Sequence, residues 1–140
     1  MSNKIDKILA EISAGELFDK ITILEIKKAK ISNKEKLIDI NRELSSLNES
    51  VKKFIPDQSN ISKYINELKS INLKLWDIED GKRAAEKNKN FDEKFIKLAR
   101  NVYKFNDERA KIKLAINTSL GSNIKEVKSY FAKVFFKLFK

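Results

Sequence analysis

Apolar residues in this chain recur at intervals of three and four, the spacing that puts them on one side of an α-helix. Ile61, Ile65, Leu68, Ile71, Leu75 and Ile78 form the clearest row, and Leu37, Ile40, Leu44, Leu47 and Val51 form another. Only three Gly and one Pro interrupt 140 residues, too few for the turns of a many-stranded β protein. The expected fold is all-α: a helical bundle of about five helices built on a long antiparallel hairpin. Residues 1–140 read as one domain, with 13–121 as the bundle core and 122–140 as an amphipathic, basic C-terminal helix.

Local signals set the element boundaries. Ser13-Ala14-Gly15-Glu16 reads as a capping box opening a helix to about Ile31. In that helix Leu17, Ile21, Leu24 and Ile31 make one stripe, while Ile23 and Ile26 point elsewhere, so two of its sides should be buried. A second helix covers Lys34 to Phe54, and Pro56-Asp57-Gln58-Ser59 ends it. A third runs from about Asn60 to Lys89. A fourth, capped by Asp92 with Phe91 and Ile96 as a hydrophobic staple, runs to Leu120 before Gly121. At about thirty residues each, or roughly 45 Å, the third and fourth helices pair as the hairpin, with positions summing to about 181 facing each other. Ser122 should cap the fifth helix, where Ile124, Val127, Phe131, Val134, Phe135, Leu138 and Phe139 oppose Lys133, Lys137 and Lys140. That face suits docking on the bundle first, a dimer or partner contact second, and an anionic membrane surface third.

Composition removes several chemistries. The sequence has no Cys and no His, which excludes disulfides, thiol nucleophiles, Ser-His triads and the usual zinc ligand sets. No phosphate-cradling glycine loop exists. The net charge of +10 is built from 26 Lys and only four Arg, and Lys is the poorer residue for planar phosphate or base recognition. Specific nucleic-acid binding is therefore not expected, nor is a cofactor or metal. The N-terminus lacks the apolar run of a signal peptide, and a soluble, cytoplasmic protein is expected.

Charges that fall on apolar stripes are the candidates for function. At 100° per residue, Arg109 lies in the arc of Leu98, Val102, Phe105 and Ile116, with Asn106 and Lys113 at its edge. The third helix carries Glu79, Arg83 and Glu86 in line with its stripe, with Asn72 and Trp76 beside it. Glu16, Lys20 and Lys27 form a polar seam on the first helix. Lys20, Arg83, Arg109 and Lys113 are thus anion-binding candidates, supported by Glu16, Asn72, Trp76, Glu79 and Asn106. The alternative is a salt-bridged seam that fixes helix register. Carboxylates spaced three apart, Glu16 with Asp19 and Asp77 with Asp80, could hold a metal, but Asp77 and Asp80 lie off the apolar stripe, where a solvated face explains them better.

Several segments together resemble an uncharacterised bacterial family, a domain of unknown function. They are Ser13–Glu16 with Asp19–Lys27; Leu75–Asp80 with Arg83; Phe95–Arg100 with Val102 and Tyr103; Asn106–Ala110 with Lys113, Ile116 and Asn117; and Gly121-Ser122 with Glu126–Tyr130. Gly81-Lys82 departs from the apolar residue expected before Arg83. The resemblance implies a link to sugar-transfer and surface-glycan functions, and supplies no mechanism. The reading preferred from the residues is a non-enzymatic interaction or accessory protein that binds a protein partner or a second copy. The competing reading is a binder of small phosphate- or carboxylate-bearing metabolites, or a metal-free enzyme.

Overall fold

A computed structural model describes residues 4–128. Among them are four helices and no strand: α1 (Ala14–Lys30), α2 (Lys34–Phe54), α3 (Ser62–Asn88) and α4 (Glu93–Leu120). Three of them, α1, α2 and α4, begin at a polar side-chain cap. The Ser13 Oγ accepts the Glu16 N–H, and the Asn33 Oδ1 accepts the Lys36 N–H. Asp92 accepts from the Lys94 and Phe95 amides. Helix α4 stops at Gly121, whose left-handed φ of 62° exposes no Cβ to strain. Helix α3 stops at Lys89 in the same left-handed region, at φ 53°, without that freedom.

Helix α1 is the centre of the bundle and touches each of the other three, while α2 meets only α1. This follows from its two apolar sides. Leu17, Phe18, Ile21 and Leu24 join Ile40, Leu44 and Val51 of α2, Leu68 of α3 and Ile116 of α4 in one core. Ile61, just ahead of α3, is completely buried in it. Asp57 folds the preceding turn by accepting from both the amide and the hydroxyl of Ser59.

The hairpin of α3 and α4 has the expected register. Asn72 and Arg109 converge on one carboxylate, and a Cβ on Gly81 would lie 2.9 Å from Leu98 Cδ1. Gly81 therefore marks a close approach of the two helices. At the turn, the Phe91 ring meets Phe95 edge-on at 5.1 Å, so the staple forms with Phe95, and Ile96 stays exposed.

One boundary differs from the sequence reading. Ser122 does not open a helix, and no helix occupies residues 122–128. Its hydroxyl accepts the Ala14 N–H and donates to the Ile124 carbonyl, so it is occupied in tying this segment to the start of α1. Ile124 and Val127 are exposed. The rest of the anticipated C-terminal helix lies outside the described residues.

Candidate functional site

The closest approach between α1 and α4 sets the geometry of the polar seam. At Gly15 the backbones nearly touch: an added Cβ would lie 2.5 Å from the Lys113 carbonyl oxygen. The Gly15 N–H donates to Asn117 Oδ1 at 2.6 Å. From that anchor the next turns of α1 carry Glu16, Asp19 and Thr22 across α4 and onto α3.

Asp19 is the hub. It is 1% exposed and receives a two-pronged guanidinium contact from Arg109, with Nε at 2.8 Å from Oδ1 and Nη2 on Oδ2. Asn72 Nδ2 donates to Asp19 Oδ1 and to Thr22 Oγ1, each at 2.9 Å, and the Thr22 hydroxyl donates to the Asp19 carbonyl at 2.8 Å. Arg109 also reaches Asn106 Oδ1. Burial pushes the Asp19 carboxyl up. The hydrogen bonds from Arg109 and Asn72, with the charges of Arg109 and Lys113, outweigh it and hold the group below its ordinary value. The Arg109 guanidinium is pushed up, chiefly by its hydrogen bonds to Asp19.

One turn along α4, the Lys113 ammonium is buried between two carboxylates, Glu16 at 2.8 Å and Glu126 at 3.0 Å. Burial disfavours its charge, but the hydrogen bonds to Glu16 and Glu126 prevail, and its pKa is raised. The same contact, helped by the charges of Lys128 and Arg109, holds the Glu126 carboxyl low. Glu16 therefore does not close a capping box; it is drawn off the helix start by Lys113.

The structure gathers Glu16, Asn72, Asn106, Arg109 and Lys113, as the sequence indicates, and separates the rest. Lys20 is exposed, because α1 turns the neighbouring Asp19 side to α4. Lys27 is half-buried and outside the Asp19 network. Arg83 is 81% exposed and pairs at 3.8 Å with the exposed Glu79 on its own helix, while Glu86 pairs with Lys89. Glu86 lies on the solvated side of α3, whereas Glu79 and Arg83, though exposed, edge a groove shared with Asn72, Trp76 and Arg109. Asp19 enters the sequence reading only as a possible metal-holding pair with Glu16, not as a member of the seam. Its signal was the row Gly15, Asp19 and Thr22, small or polar positions a turn apart between two apolar stripes.

Two openings flank the network. A groove of about 360 Å³ is walled by Ile23, Ile26, Leu75 and Trp76, with Asn72, Glu79, Asp80, Arg83 and Arg109 at its edges. On the other side, a small polar recess of about 160 Å³ lies between Asn106, Arg109, Ala110, Lys113, Glu126 and Lys128. Among the described residues no group of carboxylates is arranged to hold a metal ion.

The profile of a family described as "Family of unknown function (DUF6165)" matches residues 8–136. The chain belongs to DUF6165. No curated protein and no solved structure matches it. The matched range covers all four helices and the Ser122–Lys128 segment, so the DUF6165 match takes in the whole of the Asp19–Arg109 network.

Proposed function

We propose that this DUF6165 chain is a non-enzymatic helical interaction protein whose polar seam holds the bundle together. The supporting observation is that the buried charges answer one another. Arg109 is matched by Asp19, and Lys113 by Glu16 and Glu126. Among the described residues no buried side-chain nitrogen or oxygen lacks a hydrogen-bond partner. A catalytic or anion-binding centre of this composition would hold at least one cation, amide or carboxylate aimed at a ligand instead. We take the cytoplasm as its compartment and a protein as its partner. The family resemblance would make that partner a component of surface-glycan metabolism.

The groove beside Trp76 favours a second reading, a small carboxylate or phosphate compound held by Arg83 and Arg109 against the indole. Such a ligand would compete with Glu79 and Asp19 for the two guanidinium groups. Thermal unfolding in inorganic phosphate, sulfate and citrate, against sodium chloride at matched ionic strength, separates the readings. The interaction reading expects only the unsaturable rise that sulfate, phosphate and citrate give any folded protein, the same in wild type and Arg83→Ala. A saturable rise in one anion that disappears in Arg83→Ala would replace it with the metabolite reading.

A further inference from the structure

Burial stops abruptly along the hairpin. Ile78 is the last buried residue of α3 and Lys113 the first of α4, and none of the residues from Glu79 to Ile112 is buried. Among the described residues α1 reaches this span at Arg109 and at the groove edged by Glu79, Asp80 and Arg83; the part nearer the turn at residue 90 is an arm of two helices, which cannot enclose a core. The row of α4 that α1 covers at Asn117 and Lys113 continues along the arm as Ala110, Asn106, Tyr103, Ala99 and Ile96, alternating steps of three and four. This is the spacing of a helix-packing seam. Tyr103 and Ile96 are 56% and 52% exposed, and Ala99 is exposed too.

The charge of the arm is as uneven as its burial. The span from Glu79 to Ile112 is net +3, ten Lys and Arg against seven Asp and Glu, and its stretch 94–104 holds Lys94, Lys97, Arg100 and Lys104 with no Asp or Glu. The cations at Lys97, Arg100 and Lys104, beside the open row, take part in none of the ion pairs among the described residues. Within the body, α1 offers carboxylates to the cations of α4, Asp19 to Arg109 and Glu16 to Lys113. Farther out, the cations are present and, among the described residues, no third helix is.

We infer that the open Ile96–Ala99–Tyr103 row is a docking site for an acidic amphipathic helix of a partner protein, which continues along the arm the packing that α1 provides in the body. This rests on the interaction reading above and gives the partner its chemistry. A second copy of the arm is disfavoured by like charge. Nucleic acid would leave the apolar row unused, and Arg100 alone among the three cations has the planar fork suited to phosphate.

The test is a selection on the full-length protein. A displayed library of amphipathic helical peptides, with apolar positions kept and flanking positions drawn equally from Glu and Lys, leaves the charge choice open. Enriched peptides should carry Glu at the flanks and protect amides of residues 95–106 from hydrogen exchange. Ile96→Asp or Tyr103→Asp, both at exposed positions and checked for unchanged helicity, should weaken binding about tenfold or more, some 1.4 kcal/mol per decade. Arg100→Glu combined with Lys104→Glu should turn the preference towards Lys-flanked peptides. No enrichment, equal use of Glu and Lys, or protection confined to α2 would overturn the assignment of the arm. So would duplex DNA binding that depends on Arg100 and Lys104 but not on Ile96 and Tyr103. Selected helices that protect another surface would refute the arm alone and leave the interaction reading standing. That reading fails separately, through saturable anion binding in the thermal experiment.

Discussion

Gly15 of α1 sits against the Lys113 carbonyl of α4 so closely that a Cβ would approach it to 2.5 Å, with Asn117 Oδ1 at 3.0 Å. Both obstacles are parts of α4, one of them backbone, and neither can swing away cheaply. Gly15→Ala should therefore lose about 1–3 kcal/mol by overpacking, despite a gain of nearly 1 kcal/mol in helix propensity. Gly81→Ala meets only the end of the Leu98 side chain, at 2.9 Å, which can rotate. There the propensity gain should dominate, leaving stability unchanged or raised by up to about 1 kcal/mol. Urea unfolding of both variants checks the contrast; equal effects would mean that α1 and α4 are not in this close approach.

That contrast shows what could be read from the residues alone. The helices were legible because apolar spacing and caps are local, and the hairpin register followed from where the chain turns. Arg109 was legible as a charge on an apolar face. Its partner was not, because Asp19 and Lys20 are adjacent and only the crossing of α1 over α4 decides which turns inward. The same crossing draws Glu16 away from its own helix start to Lys113. Ser122 was read as a cap from sequence, where its bond to the Ala14 amide, 108 residues away along the chain, is invisible.

Acid should weaken the fold through Asp19. Its carboxyl is held below the ordinary 3.8, so folding favours the ionised form. The associated stability is complete above that ordinary value and is lost as pH falls through the lower folded one. In urea unfolding from pH 7 down to pH 2, wild type should lose stability along this limb, and Asp19→Asn should start lower and lose less. Parallel curves would remove Asp19 as a source of the acid dependence.

The Lys113–Glu126 contact tethers residues 122–128 to α4, beside the Ser122 and Asn123 bonds to the other end of the chain. Glu126 is partly exposed, so little global stability should depend on it. Glu126→Gln should instead raise amide exchange of residues 123–128 several-fold while leaving the melting temperature nearly constant. Exchange unchanged in that segment would show that the ion pair does not hold it.

Lys89 closes α3 in a left-handed conformation that a side chain resists. Lys89→Gly should stabilise the protein by about 0.5–1 kcal/mol, as glycine does at helix ends of this geometry. A thermal melt checks it, and a destabilised variant would place the residue in another conformation.

The pairing of Asp19 with Arg109 is the centre of the structural reading, and a double-mutant cycle on the two residues measures it. Urea unfolding of wild type, Asp19→Ala, Arg109→Ala and the double variant gives their coupling directly. Arg109→Ala alone should cost about 3–5 kcal/mol, because it leaves the Asp19 carboxylate buried without its cation. The double variant should cost less than the two single changes added together, with a coupling of about 2–3 kcal/mol. A coupling near zero, with Arg109→Ala as stable as wild type, would contradict the reading and return Arg109 to the role of a cation held for a ligand.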